Sequence, residues 1–160
     1  VTPALPEEIY VHIFSYIDPA DLWLSTRLAS KTFNRIIESH LQLSILPFFQ
    51  ISISYNLGGS RWYDVRTRVF LSYNALDQSR PQYALFDKFE IHPEPYHGRA
   101  LEKWKRIAEE GVDPETKWMV QLRMGNPRLC DMQNVKLSRT ILSAEGALCD
   151  WKELFSAYFR

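Results

Sequence analysis

Residues 5–41 carry large apolar side chains at helical spacing. Those of the first predicted helix are Ile9, Ile13, Phe14, Tyr16 and Ile17. The preceding residues 6–8, PEE, are typical of a helix start, because proline is tolerated in the first turn and carboxylates suit the positive end of the helix dipole. The pattern therefore predicts a helix from Pro6 to about Ile17.

Two polar residues mark the starts of two further helices. Asp18 and Ser30 suit the N-cap position, where a side-chain oxygen accepts a hydrogen bond from a free backbone N–H. Pro19 then takes the first helical position, and Asp21 places a carboxylate three residues after the cap. The apolar face of the third predicted helix is made by Phe33, Ile36, Ile37 and Leu41.

A helical unit of this size is too small to cover all of its apolar side chains. Its first helix is apolar nearly all round, and such a helix is buried on more than one side. Two interpretations stay open. The rest of the chain covers the helices, or a separate protein does, as in recognition of a helix face.

After residue 41 the apolar pattern changes from helical to alternating. Residues 49–55 predict a half-buried strand. Residues 62–73, rich in aromatic and β-branched side chains, predict a second strand or pair, which forms a hairpin with the first through a loop of about four or five residues. The other predicted strands are residues 83–91, 118–124 and 129–142.

Two helices are predicted in this second part of the chain. The first covers residues 100–110 and ends at Gly111, and the second is a strongly amphipathic closing helix with Asp150 as its N-cap. The fold class is therefore α+β. We expect an N-terminal three-helix module at residues 1–46, followed by a β-rich region at 47–160 that packs against it. This region is mixed and mainly antiparallel, with a mid-chain helix and a C-terminal helix.

Composition and charge exclude several classes of function. Nineteen basic and nineteen acidic residues among 160 leave no overall charge to attract nucleic acid or an anionic membrane. The apolar runs are too short to span a bilayer. Cys130 and Cys149 form neither a disulfide framework nor a metal-binding spacing, so we expect a reducing intracellular location, in the cytoplasm or the nucleus.

Four sequence pieces follow one another in the N-terminal segment. They are LPEE at residues 5–8, IFSYI at 13–17, DPADL at 18–22 and RLASKTF at 27–33. In this order they resemble the F-box, particularly its fungal form, over residues 5–41. F-box proteins dock on the Skp adaptor of Skp–cullin–F-box ubiquitin ligases and recruit substrates with the region that follows. The resemblance thus implies a substrate-recruiting adaptor subunit.

The resemblance also implies which side chains contact the Skp-family adaptor. Carried over by position, they are Leu5, Pro6, Ile9, Ile13, Phe14, Ile17, Leu22, Leu24, Leu28, Ala29 and Phe33. The family usually has Val where this chain has Ala29, and this chain carries one extra residue between Asp21 and the following Ser-Lys pair. Either Leu28 takes the role of that Val or the helix shifts register. Phe33 stands where many members have Trp and keeps an aromatic anchor.

The candidates for catalytic or metal chemistry are few. His92, Glu94 and His97 lie together, but two prolines make this segment a loop, whereas metal-binding histidines usually lie on a helix or on adjacent strands. No nucleotide-binding glycine motif and no serine-nucleophile motif occurs. We therefore expect no metal, no cofactor and no enzymatic activity.

Three arginines offer a possible target-binding site. Arg66 and Arg68 alternate on one predicted strand, and Arg61 lies close by in sequence. Aligned guanidinium groups can hold a phosphate with paired hydrogen bonds, as in phosphopeptide recognition. The other interpretation is a row of arginines that faces solvent.

Three functions remain as hypotheses. The leading one is the adaptor subunit, which binds a Skp-family protein, through it a cullin, and an unknown protein target. The second is a Skp-binding scaffold without ubiquitin transfer. The third is a stand-alone ligand-binding domain whose N-terminal helices are ordinary core.

Overall fold

Three helices form the N-terminal part of the structure, a computed structural model that describes residues 5–59, 65–112, 117–124 and 132–160. They are α1 (Glu7–Phe14), α2 (Pro19–Leu24) and α3 (Lys31–Ser44), with a 3-10 turn at Thr26–Ala29 between the last two. Asp18 caps α2 by accepting from the backbone N–H of Ala20 at 2.8 Å, and Ser30 caps α3 by accepting from that of Phe33 at 3.1 Å. Both predicted caps are confirmed.

The first helix is shorter than the apolar pattern predicts. It ends at Phe14, so Tyr16 and Ile17 lie in the connection to α2. The hydroxyl of Ser15 donates to the carbonyl of His12 at 2.7 Å, which gives the end of the helix a side-chain partner. Asp18 must also be extended because it precedes a proline, and the chain therefore leaves the helical conformation before it.

Within the described residues, seven antiparallel strands form a single sheet. Their order across the sheet is β5-β4-β1-β2-β3-β7-β6. The strands are β1 (Phe49–Asn56), β2 (Arg66–Leu76), β3 (Tyr83–His92), β4 (Trp118–Leu122), β5 (Gln133–Val135), β6 (Thr140–Ser143) and β7 (Gly146–Asp150). The predicted α+β class, with helices before an antiparallel sheet, a mid-chain helix and a C-terminal helix, is confirmed.

One face of the sheet packs on two helices, α4 (His97–Glu110) and α5 (Trp151–Tyr158). Phe49 of β1 lies 5.2 Å from Phe155 of α5, measured between ring centroids. At the other end of β1, the hydroxyl of Tyr55 donates to the carbonyl of Ala100 in α4 at 2.5 Å. Side chains two residues apart share a face of a strand, so these contacts place both helices on the same side of β1.

β1 and β2 pair as an antiparallel hairpin, as predicted. Asn56 pairs with Arg66, and the backbone N–H of Leu57 donates to the carbonyl of Val65 at 2.9 Å. Residues 60–64, which include the start of the predicted second strand, lie outside the described residues. The predicted loop length of about four or five residues therefore stays a prediction.

The last strands also differ from the prediction. The predicted strand at 129–142 corresponds to β5 and β6, with residues 125–131 outside the described part of the chain. Strand β7 was not predicted. A Cβ atom at its first residue, Gly146, would lie 2.4 Å from the carbonyl oxygen of Phe86. The close backbone approach requires a residue without a side chain, and such a residue gives no strand signal.

The buried core extends from the helical module into the β region. Trp23 of α2 contacts Phe155 of α5 edge to face, with ring centroids 5.1 Å apart, and its indole N–H donates to the hydroxyl of Ser156 at 3.1 Å. Phe14, Ile36 and Phe49 belong to the same buried cluster. The domain boundary at residues 46 and 47 stays a prediction.

Candidate interaction surfaces

The helical module exposes several large apolar side chains. Ile9 and Ile13 are 44% and 46% exposed and lie one turn apart on α1, so they share a helix face. Leu28 in the 3-10 turn is 69% exposed. We call the large exposed apolar side chains of residues 5–28 the apolar set; its members are Leu5, Ile9, Ile13, Tyr16, Leu24 and Leu28.

The residues predicted to contact a partner divide into two groups. The exposed ones are Leu5, Pro6, Ile9, Ile13, Leu24, Leu28 and Ala29, while Ile17 and Phe33 are partly buried. Phe14 and Leu22 are buried in the chain's own core. Phe14 lies 5.4 Å from Phe33 between ring centroids, so it supports the module from inside. The assignment of partner contacts stays a prediction.

The turn before α3, where the resemblance left two registers open, has a defined local geometry. Arg27 lies over the ring of Trp23, with its guanidinium carbon 4.1 Å from the ring centroid. Its Nε donates to the carbonyl of Trp23, and its Nη1 donates to the side-chain oxygen of Asn34 at 3.2 Å. These contacts tie α2 to α3 across the 3-10 turn. Between them the turn presents Leu28 as the large exposed apolar side chain, beside the smaller Ala29.

The sheet face opposite α4 and α5 carries polar side chains and forms an open groove. By strand alternation, Ser52 and Ser54 lie on this face of β1, and they pair with Phe70 and Arg68 of β2. The groove has a volume of about 820 Å³. Its lining residues are Ser54, Arg66, Thr67, Arg68, Phe70, His92, Pro93 and Met119.

The structure brings two of the three predicted arginines into this groove. Arg66 is exposed and Arg68 is partly buried, and both line it. Arg61, the third, lies outside the described residues. Phe70 of β2 and His92 of β3 also line the groove, and nothing in the sequence indicated that they lie beside these arginines. Only the strand register, which pairs Arg68 with His92, brings them to the same place.

His92, Glu94 and His97, the residues considered as metal ligands, do not form a metal-binding cluster. The Nε2 atom of His92 lies 2.9 Å from a carboxylate oxygen of Glu90, on its own strand. Glu94 belongs to a 3-10 turn, and His97 is the first residue of α4. Within the described residues no group of three or more His, Cys, Asp or Glu side chains could hold a metal ion.

Cys149 of β7 is the cysteine that the structure describes, and it is buried with a free thiol. Burial raises the pKa of this thiol to about 12. The thiolate is the reactive form of cysteine, so we expect Cys149 of the folded protein to resist iodoacetamide at pH 8. In urea it should be alkylated fully, as measured by mass spectrometry of the peptide that contains it. Rapid alkylation of the folded protein would contradict the buried position.

Comparison with known proteins identifies the helical module. Residues 2–46 match a family model described as F-box-like. No curated protein and no solved structure matches the chain. In the part of the chain that the structure describes, no helix is long and apolar enough to cross a membrane.

Proposed function

We propose that the F-box-like domain at residues 2–46 docks a Skp-family adaptor, and that the β-rich region presents a surface for a protein target. The chain is then a substrate-recruiting subunit of a Skp–cullin–F-box ubiquitin ligase, and it acts in the cytoplasm or the nucleus. The observation that carries the proposal is the exposure of the apolar set within the segment that matches the F-box-like family.

The apolar set provides a physical reason for docking. When a partner covers large apolar side chains that lie in water, the free energy falls by about 25 cal/mol per Å² of apolar surface that is buried. Ile9 and Ile13 form a pair on one face of α1, which suits recognition of a helix in the groove of a partner. F-box domains generally bind Skp-family adaptors, so the family match supports this occupant.

The proposed mechanism requires no catalytic group in this chain. An adaptor subunit holds its target close to a ubiquitin-charged enzyme and raises the effective concentration of the reacting groups. The one described thiol is buried, with its pKa raised by burial, which is consistent with a role in recruitment. We therefore propose that the chain is not itself an enzyme.

The proposal is tested with the purified chain and a purified Skp-family adaptor. Full burial of an exposed isoleucine contributes about 1.5–3 kcal/mol, and Ile9 and Ile13 still expose 44% and 46% of their surface, so each contributes roughly half of that. A glutamate in its place also brings an unpaired charge into the interface. We therefore expect the double variant Ile9→Glu/Ile13→Glu to bind the adaptor about a hundredfold more weakly or worse. Isothermal titration calorimetry measures the affinity. Circular dichroism checks that the variant keeps its fold, since both side chains are exposed.

Ile141→Glu is the matched control. Ile141 is 42% exposed, close to the exposure of Ile9 and Ile13, but it lies on β6. This variant should bind the adaptor like the unchanged chain. If the unchanged chain does not bind the adaptor, the proposal is wrong. If the adaptor complex forms but does not recruit a cullin, the chain is a Skp-binding scaffold without ubiquitin transfer.

A further inference from the structure

The 3-10 turn that presents Leu28 is a short segment with little packing of its own. Thr26 and Arg27 are partly buried, while Leu28 and Ala29 are exposed. The backbone N–H of Leu28 donates to the carbonyl of Ser25 at 3.0 Å. A segment with few buried apolar contacts opens locally at a low cost in free energy, so contacts from outside the turn determine how firmly Leu28 is held.

Arg27 connects the turn to the rest of the helical module. Its guanidinium lies over the ring of Trp23, and its Nη1 lies 3.8 Å from a carboxylate oxygen of Glu38 on α3. Both side chains of this ion pair are partly buried, so salt screens their attraction less than that of a fully exposed pair. Because Leu28 directly follows Arg27 in the chain, the held guanidinium limits the backbone conformations from which Leu28 projects.

Glu38 also binds a cation from the other end of the chain. Lys152, 114 positions later, donates from Nζ to the second carboxylate oxygen of Glu38 at 2.7 Å. Lys152 lies in the first turn of α5, and its backbone N–H donates to the capping carboxylate of Asp150 at 3.0 Å. The carboxylate of Glu38 thus lies between a cation of the 3-10 turn and a cation of α5. We call Arg27, Glu38 and Lys152 the charge cluster.

We propose that Glu38 and Lys152 are positioning residues for adaptor docking. Lys152 restrains Glu38, which in turn restrains Arg27. The 3-10 turn then stays in the conformation in which Leu28 contacts the adaptor. This inference rests on the proposed function, since it concerns the same docking surface. Lys152 lies outside the segment 2–46 that matches the F-box-like family, so the helical module depends on α5 for its full affinity.

The physical basis of this dependence is pre-organisation of the docking surface. A turn that populates several conformations binds with an apparent affinity that is reduced by the fraction of molecules in the competent one. An ion pair between partly exposed groups changes such an equilibrium by up to about fivefold. Loss of the charge on Lys152 should therefore lower the competent fraction, and with it the affinity for the adaptor, by up to the same factor.

Lys152→Met tests the inference with the purified full chain and a purified Skp-family adaptor. The Nζ atom of Lys152 lies 5.4 Å from the ring centroid of Trp151, and methionine keeps an unbranched stem beside this ring while it removes the charge. Isothermal titration calorimetry should give an affinity about two- to fivefold weaker than that of the unchanged chain. Lys152→Arg, which keeps a cation, should bind like the unchanged chain. Equal or tighter adaptor binding by Lys152→Met would overturn the inference.

Arg80→Met is the matched control. Arg80 forms an ion pair with Asp77 at 3.3 Å, in which 42% of the arginine and 18% of the aspartate are exposed. The corresponding values for Lys152 and Glu38 are 48% and 18%. Arg80 precedes β3 and lies outside the charge cluster. Arg80→Met should therefore lower the midpoint of urea denaturation by a similarly small amount and leave the adaptor affinity unchanged. An equal loss of affinity in both variants would show a general effect of lost stability and would also reject the positioning role.

A double-mutant cycle shows whether Lys152 acts through Glu38. Glu38→Gln removes the carboxylate that both cations share, so it should weaken adaptor binding about two- to tenfold. In that background Lys152→Met should have no further effect on the affinity. Additive losses would contradict the connection through Glu38, because they would mean that Lys152 affects the docking surface by another route.

Hydrogen exchange of the Leu28 amide, followed by NMR in the chain alone, measures the turn without the adaptor. This amide should exchange about two- to fivefold faster in Lys152→Met and in Glu38→Gln, and at the unchanged rate in Arg80→Met. Faster exchange with unchanged adaptor affinity would show that the charge cluster holds the turn but that docking does not use it. That result would also count against the positioning role.

Adaptor binding by the unchanged chain separates this inference from the proposed function. If the unchanged chain does not bind the adaptor, the proposed function is wrong and the positioning role is lost with it. If the unchanged chain binds the adaptor and Ile9→Glu/Ile13→Glu does not, while Lys152→Met binds like the unchanged chain, the positioning role alone is wrong.

Discussion

Replacement of Trp23 by alanine should lower the free energy of unfolding by about 3–5 kcal/mol, the usual cost of removing a large aromatic side chain from a core. Trp23 is fully buried and belongs to α2. Its ring contacts Trp151 and Phe155 of α5, and the guanidinium of Arg27 covers it. Alanine leaves a cavity between the helical module and the C-terminal helix, and it leaves Ser156 without its indole donor.

Urea denaturation followed by circular dichroism measures this loss. The control is Tyr16→Ala, because Tyr16 is 78% exposed and surface substitutions usually change stability by no more than about 0.5 kcal/mol. Equal stability of the Trp23 variant and the unchanged chain would contradict the shared core. A second, separate transition in the Trp23 variant would show that the helical module unfolds independently once this contact is lost.

Replacement of Trp104 by alanine should also lower the free energy of unfolding by about 3–5 kcal/mol. Trp104 of α4 is fully buried, and its ring meets Phe89 edge to face at 5.5 Å between centroids. The indole N–H donates to the carbonyl of Ser143 in β6 at 2.9 Å. This side chain thus connects α4 both to the inner strand β3 and to the edge strand β6.

A second variant separates packing from hydrogen bonding. Trp104→Phe keeps an aromatic ring and removes the N–H donor, so it should cost less than alanine but still at least about 1 kcal/mol, because the Ser143 carbonyl loses its partner. Lys105→Ala is the control on the same helix, since Lys105 is exposed. Thermal and urea unfolding of the three variants should give the order Lys105→Ala, Trp104→Phe, Trp104→Ala in increasing loss. A loss for Lys105→Ala as large as that for Trp104→Ala would reject the buried role of the indole.

Local signals in the sequence were sufficient for most helix starts. Asp18, Ser30 and Asp150 each cap the helix that was predicted to follow them, and the side chain of Asp150 accepts from the backbone N–H groups of Lys152 and Glu153. Gly111 ends α4 with a positive φ of 86°. These features depend on residues that are close in sequence, so a pattern along the chain contains the information.

Features that depend on distant strands could not be predicted in the same way. Gln50 and Ser52 alternate with apolar residues and predict a strand with one face in water, yet both are buried. Gln50 donates to Ser72 of β2 at 3.0 Å and accepts from Gln121 of β4. Since β1 lies between these strands, its polar side chains are covered by polar neighbours, and no local pattern records that position.

The candidate interaction surfaces also combine features that the local sequence could predict with features that it could not. The apolar excess of the first helices left open whether the rest of the chain or a partner covers them, and the structure exposes Ile9, Ile13 and Leu28. The sequence could not distinguish these exposed residues from the buried Phe14, since a helix with apolar residues nearly all round gives no unique inner face. The alternation of Arg66 and Arg68 suggested a possible target-binding site, and both residues line the groove. The position of His92 beside them required the strand register.

The contact between α2 and α5 affects the order in which a newly made chain can complete its structure. Trp23 and its hydrogen-bond partner Ser156 are 133 positions apart, with all seven strands between them. Ribosomes release the N-terminal part of a chain first, so the helical module leaves the ribosome long before the helix that covers Trp23. Until α5 has been made, the side of Trp23 that contacts α5 in the folded protein lies in water. α5 can bury Trp23 only after the last strand has been made. An interrupted chain that lacks α5 therefore has a helical module in which this aromatic side chain stays exposed.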